Sequence, residues 1–408
     1  MKRAMVAGFA VFIAGAAVLA QDWPQWRGPS RDGKVEGFKA PSSWPKELAQ
    51  KWQVKVGSGD STPALAGGKL YVFARDGGDE VTICLNADTK EEIWRDKFAV
   101  PAIPPPSGRA HAGPRASPAV ADGKVVTVGV TGVVSCLAAN KSEKQVLWRN
   151  ESYKSVPKFY TAASPLISGD VVITYLGGEG SGALVALNMA DGSEKWKWPD
   201  EGPGYASPVM AELGGVKQIV TLTEKSIIGV SAADGKLLWQ VPFVASGMNY
   251  NAATPIIDGQ TVICTGAGRG TKALKIEKQG DKFQATELWA NKEVGDQFSS
   301  QVLKDGLLFG VSDKGNIYCL SAKDEGKTAW TDAVKYGRGY GAMVDAGTVI
   351  MALPDTGPLV VFKPDAKAYA EVIKYKVSDT PSTYATPVIS GGKIFIKDQD
   401  NLTCWSLE

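Results

Sequence analysis

Apolar residues in this chain come in short runs of four to six, each opened by a two-residue polar turn. Eight such stretches can be read in order: "AGGKLYV", "ADGKVVTV", "SGDVVIT", "LGGVKQIV", "DGQTVIC", "DGLLFGV", "AGTVIMA" and "GGKIFIK". Gly-Gly, Asp-Gly and Gly-Asp between apolar runs predict tight hairpins, because Gly and Asp tolerate the positive φ that such turns need. Ahead of each hairpin stands a short strand opening on a small residue, Ser/Thr and Pro: "STPAL" at Ser61, "ASPAV" at Ala116, "ASPLI" at Ala163, "ASPVM" at Ala206, "ATPII" at Ala253 and "ATPVI" at Ala385. "SSQVL" at Ser299 and "GAMVD" at Gly341 are weaker copies in the two remaining places. Proline fits the first residue of a strand, where no ladder donor is lost.

A third marker closes each unit. Acidic turns such as "NADTKEEIW", "MADGSEKW" and "AADGKLLW" lead into Trp94, Trp196 and Trp239, with Trp52, Trp148, Trp289 and Trp330 in step. Each unit therefore reads as a strand from Ser/Thr-Pro, a hairpin, two further strands and a fourth strand starting near the Trp. Four antiparallel strands at this spacing predict the blades of a propeller. The expected fold is all-β: an eight-bladed β-propeller of four-stranded antiparallel blades. The chain ends at "LTCWSLE", after a third strand, so "KWQVKV" at Lys51 to Val56 is expected to complete the last blade and close the ring. The expected organisation is residues 1–20 as a signal peptide, 21–50 as an N-terminal extension packing on the propeller, and 51–408 as the propeller.

The first segment, "MKRAMVAGFAVFIAGAAVLA", has a basic start and an apolar run of small residues, which predicts export and cleavage after Ala20. An uncleaved membrane anchor is the alternative. No Cys follows the apolar run, so a lipid anchor is not indicated. The expected location is periplasmic or secreted, without stable membrane insertion once the segment is removed. Removing Lys2 and Arg3 leaves 43 basic against 43 acidic side chains. A neutral chain without basic runs offers nucleic acid no electrostatic footprint.

The repeat small-x-x-Asp-Gly-x-x-x-Trp, with Ser/Thr-Pro opening the inner strand, resembles the pyrroloquinoline quinone (PQQ)-like repeat over Lys51 to Glu408. That repeat builds the propellers of quinoprotein dehydrogenases and of the outer membrane assembly factor BamB. "DWPQWRGPSRDG", Asp22 to Gly33, is similar to the leader of secreted bacterial propellers of this type, and Trp23, Trp26 and Arg27 are expected to pack it onto the ring. The dehydrogenase side of the resemblance implies PQQ clamped between a Trp and two adjacent cysteines, with Ca²⁺ held by Glu and Asn and an Asp base. No adjacent pair exists among Cys84, Cys136, Cys264, Cys319 and Cys404. Four of these share one repeat position with Ala186, Gly229, Ala273 and Val361, which reads as a place where neighbouring blades pack closely. One His, and no zinc, phosphate-loop or nucleophile-elbow spacing, leaves no recognisable catalytic constellation.

Function is expected where the residues do not repeat. The lead-ins to the eight inner strands gather on one face, and they carry Asp60, Arg115, Tyr205, Asn251, Gln297, Phe298, Arg338, Tyr340 and Tyr384. Arg109 and His111 lie in the longest insertion, "AVPAIPPPSGRAHAGPR", a proline-stiffened loop over the funnel that reads as a lid or a partner contact, with a plain solvated loop as the alternative. The alternative for the ring is that its side chains plug the channel. Two functions stay open. The first is a secreted, non-catalytic scaffold in the cell envelope, a monomer binding an envelope protein, a glycan or a small ligand at the funnel. The second is a PQQ- and calcium-dependent dehydrogenase with an atypical site, for which Asp60, Arg115 and Arg338 are the nearest candidates.

Overall fold

A computed structural model describes residues 21–105, 107–247, 250–380 and 383–408. The expected signal peptide lies outside them. The described chain forms eight four-stranded antiparallel sheets, each with its strands in sequence order except the last. The first blade, for instance, is Ala64–Ala66, Lys69–Asp76, Asp79–Asn86 and Glu92–Ala99. The last joins Val388–Ser390, Lys393–Lys397 and Asn401–Ser406 to Ala49–Lys55, the strand from the other end of the chain. Trp52 pairs with Cys404 there, so the ring closes with the register the repeat requires.

The Trp motif has one geometry throughout. Cys84 faces Trp94, Cys136 faces Trp148, Ala186 faces Trp196, Gly229 faces Trp239, Ala273 faces Trp289 and Cys319 faces Trp330 across the third and fourth strands. The small position is thus set by an indole in the same blade, rather than by a neighbouring blade alone. A Cβ at Gly229 would collide with Nε1 of Trp239. In the seventh blade both partners change together, Val361 facing Ile373.

Several of these indoles couple one blade to the next, whereas Trp239 Nε1 donates within its own blade to Gln218 Oε1 at 2.7 Å. Trp94 Nε1 donates to Ala139 O at 3.0 Å, Trp148 Nε1 to Met189 O at 3.0 Å and Trp196 Nε1 to Ala232 O at 3.2 Å. Each acceptor opens the acidic turn of the following blade. The glycine of that turn explains its own presence: Gly192 has φ +75° and would put a Cβ 2.5 Å from the Trp148 ring, and Gly235 repeats this on Trp196. Only glycine combines that φ with that approach.

The Ser/Thr of the inner-strand marker forms a second coupling. The amide of Thr62 donates to Ser117 Oγ, Ser117 to Ser164 Oγ, Ser164 to Ser207 Oγ and Thr254 to Ser300 Oγ, at 2.9–3.0 Å. Thr386 N donates to Thr62 Oγ1 at 2.8 Å, tying the eighth blade to the first. In the seventh blade Ala342 stands at the hydroxyl position and cannot accept.

All five cysteines are free and buried. Burial raises the thiols of Cys84, Cys136 and Cys404 to about 11 and that of Cys319 to about 12, and it lifts Cys264 further. Thiolate is the reactive form. The folded protein should therefore not react with an aromatic disulfide reagent at pH 8, whereas all five thiols react in guanidinium. Fast reaction of even one thiol in the native state would contradict this packing.

Candidate functional site

The inner strands run from Ser/Thr-Pro to the glycine hairpins. The lead-ins therefore collect on one face and the hairpins on the other, and the N-terminal segment occupies the hairpin side. Trp23, fully buried, pairs with Leu65 through both main-chain bonds, at 2.8 and 2.9 Å. Pro24 O accepts from Val120 N at 2.8 Å, and Trp26 Nε1 donates to Thr254 Oγ1 at 2.8 Å. Arg27 donates to Ser300 O at 2.8 Å and Gln301 O at 2.5 Å, and Arg31 to Ser164 O at 3.0 Å and Pro165 O at 2.8 Å. Val35 and Gly33 exchange bonds with Asp345, and Ser390 Oγ donates to Gln21 O. The segment thus reaches the inner strands, or their Ser/Thr-Pro openings, in blades 1, 2, 3, 5, 6, 7 and 8. Burial lowers Arg27 to about 10 and Arg31 to about 9, so both keep their charge at neutral pH.

The opposite face is an aromatic rim. Asp60, before the first inner strand, lies 2.6 Å through Oδ2 from Nδ1 of His111. The imidazole sits beside Tyr384, ring centres 4.8 Å apart, and 6.0 Å from Tyr340. Tyr384 and Tyr340 meet at 5.1 Å, and Tyr340 lies parallel on Phe298 at 4.2 Å, the planes 3° apart. Phe298 is 40% exposed and forms the outer end of this row. On the other arc, Tyr205 and Tyr250 meet edge-on at 5.7 Å, and Phe159 packs on Tyr250 at 4.9 Å. Burial raises Tyr205 and Tyr340 to about 12, so they present neutral phenols.

The long insertion is fixed at both ends. Arg75 donates to Val100 O and Pro101 O, at 3.2 and 3.1 Å. Arg115 Nη2 donates to His111 O at 3.1 Å, with its guanidinium 5.9 Å from the centre of Tyr160. A single helical turn, Ser107–Ala110, sits between. Arg109 belongs to it, and its side chain lies outside the described residues. The structure thus brings Asp60, His111, Arg115, Phe298, Tyr340 and Tyr384 into one arc. Tyr205 belongs to the other arc, and Gln297 is half-buried beside Phe298.

Two predicted residues are placed differently. Asn251 is 2% exposed, and its amide is committed within the wall. Its nitrogen donates to Thr223 O and Phe243 O, and its oxygen accepts from Arg269. Arg338 is exposed and stands beside Asp355 rather than Asp60.

Sequence reasoning missed the charges beneath the rim. Glu80 is 1% exposed; Oε1 accepts from Val130 N at 2.9 Å, and Oε2 has no partner. Burial lifts its carboxyl from 4.5 to about 7, against the opposing pull of Val130 N–H, Arg75 and Arg115. Lys397, buried likewise, donates to Gly59 O, Asp398 O and Gln399 O, and burial lowers it to about 8. The signal was a charged residue at an inward strand position: Glu80 in "DEVTI" and Lys397 in "IFIKD".

Glu80 fixes a sign for the pH dependence of stability. Its neutral form is favoured by folding, so its full contribution is present below pH 4.5 and is lost as pH rises through 7. The difference amounts to about 3 kcal/mol. Glu80→Gln keeps the acceptor for Val130 and should flatten this part of the profile, leaving the variant more stable than the parent at pH 8. Urea unfolding of both proteins at pH 4 and pH 8 measures it; equal slopes would refute the assignment.

PQQ and calcium can be tested against these residues. The cysteines sit singly on separate blades, four of them opposite indoles, so no vicinal disulfide can clamp a ring. Among the described residues no three His, Cys, Asp or Glu side chains converge to hold a metal ion. Rim aromatics pack on one another, and Oδ2 of Asp60 is engaged by His111 while its Oδ1 is buried without a partner. The residues do not fit the cofactor and ion.

The family model described as "Outer membrane protein assembly factor BamB" matches residues 32–209 and 109–332. The BamB of Burkholderia pseudomallei is 24% identical over 368 residues, covering 88% of this chain and 82% of that protein. The BamB of Moranella endobia is 23% identical over 304 residues, 68% and 70% of the two chains. Among solved structures, BamB from Moraxella catarrhalis superimposes with a TM-score of 0.63 at 15% identity, over 88% of this chain and 99% of that one. The quinohemoprotein alcohol dehydrogenase of Comamonas testosteroni gives 0.72 at 14%, over 95% and 80%. At such identities the structural likeness carries the fold alone.

Proposed function

Because the chain belongs to the family of the outer membrane protein assembly factor BamB, we propose that it is a non-catalytic interaction scaffold of the cell envelope. In this reading residues 1–20 direct export and are removed after Ala20, and the rim receives an envelope protein. The observation that supports it is the rim itself. Its rings are packed against one another in two arcs, one of them ending in the exposed Phe298. Aromatic side chains held rigidly by one another are what interface centres use, since little rotamer freedom is lost on docking. No helix of the described residues is long and apolar enough to cross a membrane.

The dehydrogenase alternative has the fold in its favour and the donor set against it. Both readings meet one experiment. A photocrosslinking residue in place of Phe298 should capture one envelope protein in cells, whereas the same residue at Leu288, 49% exposed on an outer strand, should not. Equal capture from both positions would overturn the rim as the docking face. Saturable, calcium-dependent quenching of Trp fluorescence by PQQ would overturn the scaffold reading itself.

A further inference from the structure

We infer that Gln21 is converted to pyroglutamate in the mature protein. Resting on the export reading above, cleavage after Ala20 gives Gln21 a free α-amine. That nitrogen attacks the side-chain Cδ, a C–N bond closes a five-membered lactam, and the side-chain nitrogen leaves as ammonia. No oxidant, reductant or cofactor takes part.

The structure suits the product. The main-chain oxygen of Gln21 accepts from Ser390 Oγ at 2.8 Å, and Oε1 accepts from Glu36 N at 2.5 Å. Both oxygens survive cyclisation as carbonyls. The side-chain nitrogen, the only heavy atom lost, donates no hydrogen bond among the described residues. Gln21 lines a cavity of about 210 Å³ with Pro29, Ser30, Val35 and Asp345. Two residues on, Trp23 is buried and paired with Leu65, so the terminus is seated on the hairpin face rather than trailing in solvent. A lactam there also removes a charged ammonium from the end of the segment and the substrate of aminopeptidases.

Intact-mass measurement and N-terminal sequencing of the protein recovered from the envelope, after expression from Met1, test this. The expected result is residues 21–408 lighter by one ammonia, refractory to sequencing until a pyroglutamyl peptidase is added. A Gln21→Ala variant should carry a free amine and sequence directly from the substituted position. A mass of unmodified 21–408, persisting after prolonged warm incubation, would overturn cyclisation while leaving export intact. Any other N-terminus would overturn the cleavage after Ala20, and the modification with it.

Discussion

Replacing Arg27 by alanine should lower the free energy of unfolding by about 3–5 kcal/mol, although the residue precedes the first blade. The guanidinium is fully buried and spends its donors on four main-chain carbonyls: Arg31 O, Asp32 O, Ser300 O and Gln301 O. Alanine removes every donor at once and leaves the carbonyls of the sixth blade dry and unpaired, at roughly 1–3 kcal/mol each. Lysine keeps the charge but not the planar fork, so Arg27→Lys should fall between the two. Urea unfolding followed by Trp fluorescence reads the effect. A loss below about 1 kcal/mol would mean that the segment rests on the ring without holding it.

Trp148→Ala should cost a similar amount, about 3–5 kcal/mol, from lost burial and the void left behind. The indole covers Gly192, donates to Met189 O and faces Cys136, so its removal empties the seam between the second and third blades. Trp148→Ile should cost less, since the seventh blade already runs on Ile373 opposite Val361. A scanning calorimetry trace in which only a subset of blades melts early would locate the damage. An unchanged melting temperature would remove the Trp from the coupling between blades.

The fold was legible because its causes repeat. Hairpin glycines, Ser/Thr-Pro and the Trp each recur, and each enforces the same local contact wherever it stands. Even the irregular seventh blade could be placed, since "GAMVD" kept the spacing while losing the hydroxyl. The site was half legible. Position along each lead-in was enough to put Tyr340, Tyr384, Phe298 and Asp60 on one face. Position says nothing of which partner a polar group finds, and so Asn251, read as facing the funnel, proves to be tied to Thr223, Phe243 and Arg269. Arg31 was invisible for the same reason. Within "GPSRDG" it looks like a solvated turn, and only the carbonyls of Ser164 and Pro165, remote in sequence, make it a buried cation. Glu80 depended on Val130 in the neighbouring blade.

Closure from both ends also sets the order of events in folding. Blades built from hairpins involve neighbours in sequence and can form fast and locally. The bonds from Thr386 to Thr62, from Asn401–Ser406 to Ala49–Lys55, and from Ser390 to Gln21 span nearly the whole chain. They must wait until every blade exists. The part of the described chain made first is thus expected to settle last. A circular permutant that opens the ring between two internal blades and joins Glu408 to Gln21 through a flexible linker, keeping the N-terminal segment, should refold faster than the natural order, by sparing the search that ring closure imposes.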